Sequence, residues 1–265
     1  MKYATVILAA GKGTRMNEGR ASAIPKVMFE IAGKPIIYWS VKLVKDSGID
    51  KTVVVVGYKK ELIEEYFSCH TNDDDKVCDK VEFAVQEQQL GTGHAAASAK
   101  SVLEGQAEAV VVFYGDNPLY KPETVKKLIE LYENPPAGGK PTIAMMTVVF
   151  DNPEFWAFGR IVKDKNGNVI DIVEQKDCTP EQLKIEECNP GFYIFDAEWL
   201  WENVEKLESN NSQGEFYLTD MIRIAANQGK KVVSMPVSEI GEALGINNPE
   251  QQKKAEEIIL RRQVK

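Results

Sequence analysis

This 265-residue chain predicts an α/β fold, a mixed and mostly parallel sheet flanked by helices, and three observations predict it. Short apolar runs rich in branched residues alternate with segments of helical period. The first run, Tyr3 to Ala9, leads into a glycine loop, as a strand buried on both faces does when it feeds a ligand-binding turn. Another, Ala109 to Tyr114, stops at Gly115-Asp116, which sets a carboxylate at the carboxyl end of a parallel strand, where ligands of such sheets gather.

The remaining elements follow in order. Ile37, Val41 and Val44 recur at helical spacing after Pro35 at a first helical position, and Gly48 ends that helix. Val53 to Val56 and Val81 to Val85 read as strands, Lys60 to Phe67 and the alanine-rich His94 to Leu103 as helices. After a helix from Pro122 to Glu133, the turn-rich Asn134 to Gly139 is the clearest break in the chain. Beyond it Thr142 to Phe150 reads as a strand. Asn166-Gly167 then predicts a β-hairpin between Arg160–Val162 and Val169–Val173. Thr179-Pro180-Glu181-Gln182 has the form of a capping box. Phe192 to Phe195 is a strand, and helices are expected at Ala197–Leu207, Tyr217–Asn227 and Pro249–Arg262. Trp199 and Trp201 point to different faces of their helix and fit core packing or a partner contact. One domain covering residues 1–265 accommodates all of this.

Composition narrows the function. A hydrophobic content of 43% supports a full core, and 32 basic against 40 acidic residues give a net charge of −8, which disfavours nucleic acid as a partner. No apolar run is long enough to cross a bilayer, and Met1-Lys2-Tyr3-Ala4 enters the first strand with no cleavable leader, so a cytoplasmic location is expected. Cys69, Cys78, Cys178 and Cys188 form no C-x-x-C pair and, with His70 and His94, make no zinc set; they read as reduced thiols. The oligomeric state is left open.

The chemistry concentrates at Leu8-Ala9-Ala10-Gly11-Lys12-Gly13-Thr14-Arg15-Met16. A glycine loop after a first strand can bring backbone N–H groups against phosphate oxygens. Met16 breaks the dinucleotide pattern G-x-G-x-x-G and no P-loop is present, which removes a dehydrogenase and a P-loop NTPase. Lys12, Arg15 and Lys26, taken singly, also fit ordinary solvated charges.

That loop, followed by Pro25-Lys26-Val27, resembles the signature of the sugar-1-phosphate nucleotidyltransferases. Gln86-Glu87-Gln88-Gln89-Leu90-Gly91-Thr92-Gly93-His94-Ala95 is similar to the uracil-reading segment of the N-acetylglucosamine-1-phosphate uridylyltransferases within that family. Tyr114-Gly115-Asp116, Phe158-Gly159-Arg160, Val173 to Asp177, Asn189-Pro190-Gly191, Gln213 to Asp220 and Gly245 to Asn248 continue the resemblance in order along nearly the whole chain.

The resemblance implies a Rossmann-like nucleotide-diphospho-sugar transferase fold with a nucleotide half, residues 1–135, a smaller sugar-binding β lobe within residues 136–248, and a C-terminal helix, residues 249–265. It implies UTP and a sugar-1-phosphate as substrates and Mg2+ as cofactor, with Asp116 and Asn247 as metal ligands and Arg15, Lys26 and Asp116 as catalytic residues. Leu8, Ala9, Ala10, Gly11, Gln86, Gly91, Thr92, Tyr114 and Gly115 would hold the nucleotide, and Gly159, Glu174, Asn189 and Lys176 the sugar phosphate. Gln86 carries both a donor and an acceptor for the uracil edge, and Gly91 leaves room for the base. His94 is read as starting a helix and packing there, since this transfer moves no proton.

Departures from the family pattern matter too. The stretch from Asn17 to Ile24 is longer than the family's. Gln175 stands where a histidine is usual and Pro190 where a threonine is, which keeps glucose-1-phosphate or another hexose-1-phosphate as an alternative acceptor. A catalytically silent regulatory module is the alternative from another class. Bifunctional members add a left-handed β-helix acetyltransferase domain, and unless this chain is a piece of a longer one, that activity and its trimer are not expected here.

Overall fold

The computed structural model describes residues 1–18, 23–49, 51–69, 77–136, 138–151 and 158–263. His70, the Cys69 side chain, Ala137 of the predicted break and residues 19–22 of the long Asn17–Ile24 stretch lie outside the described set. The chain runs through β1 (Tyr3–Leu8), β2 (Glu30–Ile31), β3 (Lys34–Pro35), α1 (Ile36–Asp46), β4 (Lys51–Val56), α2 (Lys60–Cys69), β5 (Val81–Val85), α3 (Thr92–Ser98), α4 (Lys100–Leu103), β6 (Ala109–Tyr114) and α5 (Pro122–Glu133). It continues with β7 (Ile143–Val149), β8 (Gly159–Lys163), β9 (Val169–Val173), β10 (Glu187–Asn189), β11 (Phe192–Asp196), α6 (Ala197–Asn203), α7 (Asp220–Asn227), β12 (Val232–Pro236) and α8 (Pro249–Gln263).

One sheet of ten strands has the order β5-β4-β1-β6-β11-β7-β10-β8-β9, with β12 also on β7. Strands β5, β4, β1 and β6 pair in parallel; β11 runs against both β6 and β7, and β12 is parallel to β7. The antiparallel β10, β8 and β9 form the far lobe. Central strands are buried on both faces because helices cover both. In β6, Val110 and Val112 enter a core shared with α3, α6 and α7, while Val111 and Phe113 enter one shared with α1, α2 and α5. That arrangement explains the apolar, non-alternating run read from the sequence.

Several boundaries differ from expectation for identifiable reasons. The helix expected from Tyr217 begins at Asp220, because Phe216 and Leu218 are tied across to the Leu90–Gly93 segment: Phe216 N–H donates to Leu90 O at 2.8 Å and Leu218 N–H to Thr92 Oγ1 at 3.0 Å. The helix expected to reach Leu207 ends at Asn203, whose side chain donates to the Trp199 carbonyl at 2.8 Å, and continues as a 3-10 turn. The predicted His94–Leu103 helix starts at Thr92 and splits at Ala99. Pro35 precedes α1 as its cap residue, not as its first helical residue. The capping box of Thr179 and Gln182 forms both reciprocal bonds, at 2.8 and 3.3 Å, yet carries only a 3-10 turn. The Asn166-Gly167 turn is wider than a two-residue loop, because Asp164 gathers the N–H groups of Asn166 and Asn168 at 2.8 and 2.9 Å. Trp199 and Trp201 are both core residues. Strands β2, β3, β10 and β12 have no counterpart in the sequence reading. Among the described residues, no helix is long and apolar enough to cross a membrane.

Candidate active site

A cavity of about 350 Å3 opens where β1, β5 and β6 end. Leu8, Ala9, Ala10 and Gly11 line it from the first strand and loop, Gln86, Gly91 and Thr92 from the segment after β5, and Tyr114, Asp116 and Lys26 from the opposite side. Among the described residues, the N–H groups of Ala10 and Gly11 donate to no protein acceptor, so the loop that lines the cavity has unused donors. Gly115 does not line it; Gly115 fixes the strand end instead, its N–H donating to Leu8 O at 2.9 Å and its carbonyl accepting from Ser40 Oγ at 2.8 Å.

Four side chains from distant parts of the sequence meet beside this cavity. The Lys26 ammonium forms an ion pair with the Asp116 carboxylate and donates to Asn247 Oδ1 at 3.0 Å. Arg15 Nη2 donates to the same Asn247 oxygen at 3.3 Å. Each is held in place by backbone. Gly13 adopts φ 63°, and a Cβ there would lie 2.5 Å from Lys26 Cβ, so only glycine lets the Lys26 segment pack this close. Asn17 staples the two ends of the long loop: its Nδ2 donates to Gly13 O at 3.0 Å and Ile24 O at 2.8 Å, and its Oδ1 accepts from Ile24 N–H at 2.9 Å. Lys26 is therefore placed whatever the path between. Asn247 is drawn in by Ile246 N–H, which donates to Asp116 O at 2.9 Å, and by Gln251, whose Oε1 accepts from Asn247 N–H at 2.8 Å.

A carboxylate and an amide oxygen converging on one positive nitrogen is a donor set suited to a hard cation. Among the described residues, no group of three His, Cys, Asp or Glu side chains forms a metal cage. Two protein oxygens suit magnesium, which keeps most of its shell for water and phosphate, and do not suit a fully enclosed zinc ion.

In the segment after β5, Gln86 Nε2 donates to Gly91 O at 3.0 Å and lies 3.1 Å from His94 Nδ1. Its donors are thus engaged within the protein, contrary to the expectation that both ends of the amide are free. Gly91, at φ 117°, is demanded by the protein's own backbone: a Cβ would lie 2.5 Å from Phe216 O. His94 does pack in the first turn of α3, its ring 6.4 Å from that of Phe216, but it also makes the contact with Gln86 that sequence reasoning missed.

Gly159, Glu174, Asn189 and Lys176 do not line this cavity. Glu174 follows β9 and accepts from Thr219 Oγ1 at 3.0 Å, and a Cβ on Gly159 would stand 3.6 Å from its carboxyl carbon. Burial raises the Glu174 carboxyl above its ordinary value, with Asp177, Asp220 and Glu215 adding to the shift against the Thr219 hydrogen bond. Asn189 is buried, its Oδ1 accepting from Gly191 N–H at 3.1 Å and its amide meeting the Tyr193 hydroxyl. Lys176 is exposed and bonded to Gln213. Asn117 was also missed; its Nδ2 donates to Pro190 O at 2.6 Å and links the Asp116 turn to the second lobe. Its place next to Asp116 was the only signal.

Two outcomes follow from this geometry. Gly13→Ala destabilises the fold by about 1–2 kcal/mol from left-handed backbone alone and, in a crystal structure of the variant, separates Lys26 from Asn247; an unchanged contact contradicts the packing argument. A carboxyl with a raised folded-state pKa stabilises the fold below its unfolded value, and that contribution is lost as pH rises through the folded value. Glu174→Gln therefore raises Tm relative to wild type at pH 8 and not at pH 4, and thermal melts across that range show a gap that widens with pH. A gap independent of pH contradicts the burial assignment.

Comparison with known proteins places this geometry. A family model described as Nucleotidyl transferase matches residues 4–242. Bifunctional protein GlmU of Clostridium novyi (strain NT) is 42% identical over 259 residues, 98% of this chain and 52% of that protein. Bifunctional protein GlmU of Acetivibrio thermocellus is 43% identical over 260 residues, again 98% of this chain and 52% of that protein. The chain thus spans about half the length of the curated relatives it matches. Among solved structures, UDP-glucose pyrophosphorylase complexed with UDP-glucose superposes with a TM-score of 0.77 at 20% identity, covering 99% of this chain and 100% of that one. HddC from Yersinia pseudotuberculosis complexed with GMP-PN gives 0.68 at 24% identity, covering 98% and 100%. At those identities the structures bear on fold alone, and they share the Rossmann-like α/β architecture found here. With its family model covering most of its length, the chain belongs to the nucleotidyl transferase family.

Proposed function

We propose that this chain transfers a uridylyl group from UTP to N-acetylglucosamine-1-phosphate in the cytoplasm, forming UDP-N-acetylglucosamine and pyrophosphate. The observation that carries the reading is the convergence of Arg15, Lys26, Asp116 and Asn247 beside a cavity lined by the glycine loop. A sugar-phosphate oxygen attacks the α-phosphorus of UTP, and the bond from that phosphorus to the leaving pyrophosphate oxygen breaks. Two polyanions must be brought together for this, so the site needs positive charge more than it needs a nucleophile.

Arg15 and Lys26 supply that charge to the triphosphate and the α-phosphoryl oxygens, and Ala10 and Gly11 donate backbone N–H groups beside them. Asp116 and Asn247 would hold magnesium, whose chemistry is to neutralise charge shared by the two substrates. No side chain here has to take or give a proton, because the attacking phosphate is already ionised. Gln86 meets the base. In the second lobe Glu174 would accept from sugar hydroxyls, Asn189 would meet the acetamido group or a hydroxyl by exchanging its Tyr193 contact, and Gly159, whose missing Cβ makes room for Ile172, keeps the Glu174 segment close. Lys176 contributes to the sugar phosphate only by exchanging its Gln213 partner.

The 42% identity to a GlmU against 20% to UDP-glucose pyrophosphorylase favours the N-acetylated sugar. Gln175 and Pro190 favour a plain hexose-1-phosphate as a second reading, and the ratio of kcat/KM for the two acceptors separates them. The four convergent side chains weigh against a silent regulatory module.

Pyrophosphate release from UTP across a panel of sugar-1-phosphates tests the proposal, and silence with every acceptor rejects it. Arg15→Ala lowers kcat by roughly 10²–10³, as loss of one preorganised partner of a transferring phosphoryl group does; full activity removes Arg15 from the mechanism. Asp116→Asn slows turnover and raises the magnesium concentration at half-maximal rate; an unchanged magnesium titration contradicts its assignment as a ligand.

A further inference from the structure

The contact between Gln86 and His94 determines more than local packing. The carbonyl of Gly91 can only accept, so the amide atom 3.0 Å from it is the NH2 of Gln86. Its second hydrogen is received by His94 Nδ1 at 3.1 Å, which requires a neutral imidazole protonated on Nε2. Both amide hydrogens are then consumed inside the protein. Among the described residues Gln86 Oε1 has no hydrogen-bond partner, while the side chain lines the nucleotide cavity.

We infer that His94 is a positioning residue that turns Gln86 into a pure acceptor towards the base, and thereby selects a pyrimidine that carries hydrogen on N3. The inference rests on the uridylyl reading above and deepens it. Uracil presents N3–H to Oε1. Cytosine presents an N3 lone pair, so two acceptors face one another in a confined site and both lose their partner from water. Without an acceptor at position 94 one buried N–H is left unpaired and only the bond to Gly91 O still fixes which end of the amide faces the cavity, so the amide turns more readily and rejects cytosine less strongly.

The ring of His94 also packs on Phe216, so shape and hydrogen bonding have to be separated. His94→Phe keeps a ring and removes the acceptor; His94→Asn sets an amide oxygen near the place of Nδ1. Calorimetric binding of UTP and CTP in the presence of magnesium is expected to show a preference for UTP in the wild type. It falls roughly tenfold to a hundredfold in His94→Phe and recovers in His94→Asn. In steady state the loss appears in KM for UTP with kcat retained, and in a Gln86→Leu background His94→Phe adds no further loss. Nitrogen NMR of the wild type, whose only histidines are His70 and His94, is expected to report the Nε2–H tautomer for His94 and needs no variant to fold.

An unchanged UTP-to-CTP ratio in His94→Phe, an equal loss in Phe and Asn variants, or an Nδ1–H tautomer overturns the inference. So does a wild type that binds UTP and CTP equally, even if it transfers uridylyl groups. A wild type that prefers UTP but passes nothing to any sugar phosphate rejects the reaction instead, and the same binding ratios still decide the role of His94.

Discussion

The proposed reaction would bring two negatively charged substrates into one small cavity, which needs more positive charge there than the chain's average, a net charge of −8, supplies. The contact that answers that constraint is Lys26 between Asp116 and Asn247. Its three members come from the long loop after β1, the end of β6 and the turn before α8. The parallel pairing of β1 with β6 brings Leu8 level with Tyr114, and the bond from Ile246 to Asp116 O adds the third piece. Lys26 has as partners the same two oxygens that magnesium would take. In the proposed reaction its ammonium would exchange them for phosphate oxygens, so that Asp116 offsets the lysine's charge before substrates load and releases it to them afterwards.

Around that contact the protein gives up stability locally. Glu174 is enclosed among other carboxylates with one hydroxyl donor, and its raised pKa records the cost of holding an anion out of water. Gly13 and Gly91 hold backbone conformations that other residues resist, because Lys26 and Phe216 pass within reach of where a side chain would begin. Such features gather where substrates dock, while the strands beneath them, Val110 to Phe113 above all, are fully buried and regular. The rigid sheet end supplies precision, and the segments after it supply chemistry.

The sequence was most legible where one residue type serves one purpose. The branched runs of β1, β4 and β6 have few alternatives to a buried strand, and the glycine loop and Lys26 led directly to the cavity wall, with Arg15 beside it through Asn247. Short edge elements escaped. β12 ends in a proline and β10 has three residues, so neither shows a period, and both exist because β7 offers them an edge. Asn17, Asn117 and His94 escaped for another reason. Each acts on another residue and not on a ligand, and the partners of Asn117 and Asn17 become neighbours only once loops and lobes have closed. Gln86 lines the cavity, but the partners of its amide, a carbonyl five residues on and a ring eight residues on, were not read from the sequence.

Anomalous diffraction from crystals grown with UTP and manganese in place of magnesium is the most direct measurement. The account predicts a single strong peak in contact with the Asp116 carboxylate and Asn247 Oδ1, with the Lys26 ammonium moved onto a phosphate oxygen. A peak remote from those two oxygens, with Lys26 still paired to Asp116 while UTP is bound, would contradict it.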